Sequence, residues 1–232
     1  MSRLKRAFCD NDNRQQPQKR VLVMTAVSAE REAVLRGLGN DRNTDVFLAG
    51  VGAVSAAVHT TKVLAKEEYG LVICAGIGGG FPGRAEIGSI VVANEIVAVD
   101  LGAETSEGFQ SLDELGLGTS RIPVEASLVN DITNVLLAAR LPVQTGPVLT
   151  VSTVTGSATR SAQLAARVPE AAAEAMEGYG VAFAAVEHGI PVVELRAISN
   201  LVGPRDRAAW RIKEALDMLT TVSSVLLGEL NC

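Results

Sequence analysis

The sequence predicts an α/β fold: a single-domain three-layer α/β/α arrangement around a central mixed, mostly parallel sheet. Three observations predict it. Short β-branched apolar runs alternate with helix-like segments over roughly 210 residues, the pattern of a doubly wound sheet. Of the 232 residues, 47% are hydrophobic, which is enough for one large core. The 22 glycines suit a fold whose ligands bind in tight loops beyond the strand ends.

Each element has its own signal. Val21 to Val27 is an apolar, β-branched strand, and Ser28 is the expected N-cap of a helix from Ala29 to Leu38 that stops at Gly39. Asp45 to Val51 is a second strand, and Gly52 opens an alanine-rich helix to about Tyr69, closed by Gly70. Leu71 to Ala75 is a buried strand feeding a glycine turn from Gly76 to Gly80, and Ile87 to Val99 is a long strand. Leu101 to Arg121 lacks periodicity and is expected to be a surface excursion or lid. Ser127 to Leu137 is helical, Pro147 to Val154 a strand, and Ser157 to Val168 a helix that Pro169 stops. Ala172 to Met176 is a short strand and Gly178 to His188 a helix, and Ile190 to Ile198 is a strand with Pro191 at its start. Asp206 is the expected cap of a last helix whose apolar stripe includes Trp210, Ala215, Leu216, Leu219 and Leu226. Residues 1–19 are polar and basic without an apolar segment; they read as a disordered tail and not as a secretory signal, leaving 20–232 as the folded domain.

Composition removes several functions. Lys and Arg number 21 against 26 Asp and Glu, and a net charge of −5 has the wrong sign for a phosphate backbone, so nucleic acid is not an expected partner. The longest charge-free stretch, Leu141 to Thr159, is broken by Pro142, Gln144, Gly146 and Pro147 and does not read as a membrane span. Three widely spaced cysteines and two histidines supply neither a disulfide framework nor a metal site, so no metal or organic cofactor and a reducing cytoplasm are expected. Gly76, Gly78 and Gly80, with Asp100 twenty positions later, superficially resemble a dinucleotide fingerprint. That fingerprint needs a helix starting in the loop, whereas Phe81, Pro82, Gly83 and Gly88 lead here into another strand. What remains is a run without Cβ atoms, which is either a simple tight turn or a place where backbone amides come close to a ligand.

Four segments taken in order carry a resemblance. They are Thr25–Glu32 (T-A-V-S-A-E-R-E), Ala49–Gly52 (A-G-V-G), Cys74–Gly80 (C-A-G-I-G-G-G), and the pair Ala175–Gly178 (A-M-E-G) with Leu195–Asn200 (L-R-A-I-S-N). Together they resemble the nucleoside phosphorylase and nucleosidase superfamily, which includes the methylthioadenosine/S-adenosylhomocysteine nucleosidases. Within it, the run from A-M-E-G-Y-G-V-A through R-A-I-S-N-L-V-G-P-R-D-R is similar to the futalosine hydrolases of menaquinone biosynthesis. The resemblance implies hydrolysis of a purine N-glycosidic bond, a small-molecule nucleoside substrate and a homo-oligomer, either dimer or tetramer.

It also implies roles. Such a bond breaks through a ribosyl cation, so the site must help the base leave, hold the sugar hydroxyls and place a water. Asn200 matches the residue that engages the purine; methylthioadenosine nucleosidases have an aspartate there, and a neutral carboxamide offers the donor and acceptor that a 6-oxopurine such as hypoxanthine wants. Glu177 matches the glutamate that accepts from the ribose 2′- and 3′-hydroxyls, with Met176 against the sugar and Ala175 beside it. Glu30 matches the residue that activates the attacking water. Arg196 and Ser199 flank the base-recognition position, Val154 and Thr155 fall where relatives line the purine pocket, and Gly76, Ile77 and Gly78 belong to the glycine segment, with Ile77 replacing a serine. Structural readings stand beside these: Glu30 and Glu177 as first-turn surface glutamates, Asn200 as a strand-end turn residue. Arg205 and Arg207 are candidates for a substrate carboxylate. Alternatives are a methylthioadenosine/S-adenosylhomocysteine or 6-aminofutalosine nucleosidase, a phosphate-dependent phosphorylase, and a nucleoside-binding protein without catalysis.

Overall fold

The structure, a computed structural model, describes residues 20–39 and 41–230. The expected tail at 1–19 lies outside the described residues. The strands are β1 (Val21–Thr25), β2 (Thr44–Leu48), β3 (Leu71–Gly80), β4 (Ile90–Ala98), β5 (Gly102–Thr105), β6 (Gly108–Ser111), β7 (Arg121–Pro123), β8 (Val143–Thr150), β9 (Ala173–Ala175) and β10 (Val192–Leu201). The α-helices are α1 (Ser28–Leu38), α2 (Ala53–Leu64), α3 (Leu112–Leu115), α4 (Ala126–Ala138), α5 (Ala158–Arg167), α6 (Gly178–Glu187) and α7 (Ile212–Leu230).

β1 is buried along its whole length and its apolar run does not alternate, as expected of a strand covered on both faces. It pairs in parallel with β2 on one side and with the first half of β3 on the other. β3 then runs in parallel with β10 over its whole length, while its last residues pair with β9. β10 is antiparallel to β4, β4 parallel to β8, and β8 parallel to β9. The strands β3, β10, β4, β8 and β9 therefore close on themselves, and β1 and β2 extend from this ring as a flap of sheet. Helices α1, α4 and α7 pack together and against one side, with α2 and α6 paired elsewhere. Gly37 allows the α1–α7 contact, because a Cβ there would overlap the Thr220 carbonyl; Gly180 does the same for α6 against Ala53 of α2.

Several boundaries move, each for a physical reason. The glycine segment is not a turn: Gly76 to Gly80 continue β3, paired with β10 and at Gly79 and Gly80 with β9, and its glycines stand where a Cβ would crowd Arg196 and Glu30, Glu174, Val202 or the Ala85 carbonyl. Ser28 is the first residue of α1 and Val27 its cap, the exposed amides being taken by Glu30. α2 ends at Leu64, five residues early, and Tyr69 instead turns inward to donate to Asp45 at 2.7 Å. β8 starts and stops about four residues sooner than expected, which leaves Val154 and Thr155 in the loop before α5. The aperiodic segment holds the β5–β6 hairpin, α3 and β7, and β7 joins the main sheet at β4. Asp206 caps a single 3-10 turn at Arg207–Ala209, not the last helix, so Trp210 precedes α7.

Candidate active site

The glycine-rich half of β3 forms the floor on which the singled-out side chains meet. Glu30 comes from the first turn of α1 and is only 3% exposed. Its Oε2 accepts from the amides of Ala26 and Val27 at 2.9 and 3.2 Å, and its Oε1 from the Ile77 amide at 2.9 Å. Burial raises its pKa, against the opposing pull of Arg196 and of the Ile77 amide. A buried carboxylate whose pKa is raised is a better proton acceptor than an exposed one.

Arg196 on β10 lies across Gly76, its register partner. A Cβ on Gly76 would stand 2.6 Å from both Arg196 Nη1 and Glu30 Oε1, so the absence of a side chain is what lets guanidinium and carboxylate converge. Each guanidinium nitrogen is engaged: Nε donates to Glu194 at 2.8 Å, Nη1 to the Ile77 carbonyl at 3.3 Å, and Nη2 to Glu177 at 3.2 Å and Cys74 Sγ at 3.3 Å. Burial works against its charge, but the surrounding Cys74, Glu194, Glu177 and Glu30 hold its pKa well above the ordinary value. Burial also pushes the Cys74 thiol well up. Ile77 thus contributes through its backbone, while its side chain packs on the core.

Glu177 is buried at the N-terminus of α6, facing Arg196. Its Oε1 accepts from the Gly52 amide at 3.4 Å and its Oε2 from the Met176 amide at 3.3 Å. The loop that opens α2 is thereby tied to the strand that ends in A-M-E. Ala175 is buried on β9, its carbonyl accepting from Val151, and Met176 packs against an apolar cluster that includes Phe81, Leu149, Leu164 and Val202.

The second half of the site follows β10. Ser199 Oγ stands 2.8 Å from Asn200 Oδ1 and 3.2 Å from the Gly78 carbonyl, and Asn200 Nδ2 donates to the Leu201 carbonyl at 3.1 Å. One amide hydrogen of Asn200 remains for a ligand. The space beside Gly79 is bounded by Asn200 Nδ2 and by the side chain of Glu174. Glu174 accepts from Thr155 twice, from its amide at 3.0 Å and its hydroxyl at 2.6 Å, and so pins the loop that carries the exposed Val154. Burial raises the Glu174 pKa, with both Thr155 bonds opposing.

The structure thus joins Glu30, Gly76, Ile77, Met176, Glu177 and Arg196 in one network, and Gly78, Ser199 and Asn200 in a second on the same strand pair. Arg205 belongs to neither network: its amide donates to the Gly156 carbonyl at 3.3 Å, next to Thr155, and its guanidinium carbon lies 5.8 Å from the Trp210 ring centre. Sequence reasoning missed Glu174, Glu194 and Cys74. For the first two a signal existed: each is a single carboxylate inside an apolar strand run, A-A-A-E-A-M and V-V-E-L-R, where a charge needs a partner. Among the described residues no group of His, Cys, Asp and Glu stands together as a metal site, and no helix is long and apolar enough to cross a membrane.

Comparison with known proteins follows the same lines. The family model described as the phosphorylase superfamily matches residues 24–228. The chain is 49% identical over 220 residues to a futalosine hydrolase of Streptomyces coelicolor, covering 86% of this chain and 92% of that one. It is 33% identical to a futalosine hydrolase of Thermus thermophilus, over 78% and 79% of the two chains. Among solved structures it superposes on the native futalosine hydrolase of Helicobacter pylori with a TM-score of 0.77 at 20% identity, covering 91% and 97%. A mutant methylthioadenosine nucleosidase of the same organism, with 5′-methylthioadenosine in its active site, gives 0.78 at 20% identity, covering 92% and 98%.

Proposed function

The chain belongs to the phosphorylase superfamily, and from that premise we propose that it hydrolyses futalosine, releasing hypoxanthine, as a step of menaquinone biosynthesis. The observation that carries the choice of base is Asn200. Its Oδ1 lies 2.8 Å from the Ser199 hydroxyl and one Nδ2 hydrogen goes to the Leu201 carbonyl, which leaves the second Nδ2 hydrogen as a donor for a ligand. A donor suits the O6 acceptor of a 6-oxopurine, and the carbonyl oxygen can still accept from a protonated N7.

The remaining roles follow from charge. As the glycosidic bond stretches, the sugar becomes cationic, and the buried Glu177 carboxylate accepts from its 2′- and 3′-hydroxyls while favouring that charge. Glu30 takes the proton of the attacking water as the water adds to the anomeric carbon and the C–N bond breaks, its electron pair leaving with hypoxanthine, which takes its proton at N7 from solvent. Water is favoured over phosphate as nucleophile because the buried guanidinium of Arg196 is already matched by Glu177 and Glu194, leaving no unmatched cation in this cluster to receive an anion. The reaction calls for no metal and no organic cofactor.

Residues 20–232 are read as the catalytic domain, working in the cytoplasm as a homo-oligomer. Support for assembly comes from the exposed apolar Val51, Val54 and Val58 around α2, continued by Phe183 and Val186 on the adjoining α6. This patch borders Gly52, whose amide reaches Glu177. The test is base release, followed by chromatography, from futalosine, 6-aminofutalosine, methylthioadenosine and inosine, each with and without phosphate. Phosphate-independent hypoxanthine release from futalosine is the expected result. Adenine release from methylthioadenosine overturns the reading of Asn200, and no release from any substrate favours a binding protein.

A further inference from the structure

Glu194 takes no part in the roles described so far, yet it is fully buried. It lies two residues before Arg196 on β10, and its Oε1 accepts from Arg196 Nε at 2.8 Å. Its Oε2 is buried without a hydrogen-bond partner. The position has been given room: a Cβ on Gly178 would overlap the Glu194 carboxylate. Gly178 does not have a positive φ, so it is glycine for space and not for backbone conformation. That space lies at the N-terminus of α6, where the helix favours negative charge. Burial raises the Glu194 carboxyl above its ordinary value and Arg196 pulls it down, so its charge depends on that partnership. An apolar side chain would fill a strand interior at lower cost than a carboxylate with an orphaned oxygen.

The charge count of the cluster suggests what Glu194 does. Arg196 contacts Glu177 directly, and as an isolated pair the two would sum to zero, leaving little net charge beside a ribosyl cation. With Glu194 on the far side of the same guanidinium the three sum to −1, and with Glu30 ionised as the base the cluster carries −2 where it would otherwise carry −1. The other ionisable groups facing this cluster are Cys74 and Glu30. We propose that Glu194 is a positioning residue for nucleoside hydrolysis: it orients and neutralises Arg196, so that the charge of Glu177 stays uncancelled where the sugar becomes cationic. The proposal rests on the hydrolytic reading above.

The experiment compares wild type, Glu194→Gln and Glu194→Asp. It measures kcat and KM on futalosine, and the inhibition constants of a nucleoside mimic with a protonated pyrrolidine ring and of its uncharged counterpart of the same shape. Removing one buried charge at this range is expected to lower kcat about tenfold and to weaken the cationic mimic about tenfold. The uncharged mimic should bind unchanged, and Glu194→Asp should keep the preference for the cation. A merely structural Glu194 would weaken both mimics equally or neither, and either result overturns the proposal. Should Glu194→Gln not fold, Gly178→Ala displaces the same carboxylate without removing it and must shift the cationic mimic alone. Wild type that releases no base from any nucleoside defeats the functional reading, and this proposal with it. Active wild type with unaltered discrimination in the variant defeats this proposal alone.

Discussion

Replacing Gly76 by alanine tests the convergence at the centre of the site. The added Cβ would stand 2.6 Å from Arg196 Nη1 and from Glu30 Oε1, whereas ordinary contact begins at 3.4 Å, so 3.4 − 2.6 leaves each side short by 0.8 Å. Neither side chain can retreat freely. Glu30 is held by three amides within 3.2 Å, and Arg196 by four acceptors within 3.3 Å. Relief therefore comes from moving the carboxylate or the guanidinium by most of an ångström, and a displacement of about 1 Å at a reacting group costs about a hundredfold in rate. Overpacking costs about 1–3 kcal/mol, and removing glycine's backbone entropy returns about 0.5–1 kcal/mol. A net loss of about 1–2 kcal/mol should lower Tm by a few degrees, at about 2–4 °C per kcal/mol for a chain of this size. Thermal melts and initial rates of hypoxanthine release measure both quantities. The control is Gly228→Ala in α7, where nothing lies within 4 Å and the change should be neutral or stabilising by about 0.5–1 kcal/mol. Wild-type kcat and Tm in the Gly76→Ala enzyme would refute the claim that this glycine exists to let Glu30 and Arg196 meet.

Other outcomes follow from the same geometry. Glu30 must be ionised to act as a base, and burial raises it above its ordinary 4.5, so the rate should fall with decreasing pH on a limb displaced upward from that value. Glu30→Gln should lose about two to four orders of magnitude in kcat at every pH, while binding of free hypoxanthine, followed by calorimetry, persists. Asn200→Asp replaces the donor facing O6 by an acceptor; futalosine turnover should drop at least about a hundredfold, and the ratio of 6-amino to 6-oxo substrate turnover should rise. An unchanged ratio would remove Asn200 from base recognition. Val54 is 81% exposed on the apolar patch. Val54→Glu should shift the protein to smaller species in sedimentation without a loss of monomer secondary structure, and an unshifted profile would place the assembly face elsewhere.

The order of strands and helices was legible because each signal is local: β-branched runs, capping residues and stop glycines. The glycine segment was misread for the same reason. Gly76 to Gly80 look like a turn along the chain, and only the neighbours β9 and β10, supplied from about a hundred residues later, make them a strand, with its glycines where a Cβ would be crowded. Ser28 has the side chain of a cap, but Glu30 reaches back with a charged acceptor to the amides of Ala26 and Val27, which sets the helix start one residue earlier and leaves the serine exposed. Closure of the sheet into a ring has no local signature at all. In the site, Glu30, Glu177, Arg196 and Asn200 were visible through ordered motifs. Glu174 and Glu194 belong to no motif and become meaningful only once Thr155 and Arg196 are seen opposite them. Residues 101–121 lack periodicity because the β5–β6 hairpin is largely exposed on both faces and needs no apolar alternation.

Closure of the ring also dictates an order of events during synthesis. β3 leaves the ribosome early, but its long partner β10 is among the last segments made, and Arg196 reaches the Ile77 carbonyl across 119 residues of chain. Until β10 arrives, β3 keeps one side unpaired, and the Glu30 carboxylate has its amides but no guanidinium. Contacts this distant in sequence are slow to form and leave the growing chain exposed to mispairing in the meantime. The candidate site therefore matures late, with only the 3-10 turn and α7 still to follow, and a chain truncated before β10 would have most of its helices but neither a closed sheet nor a site.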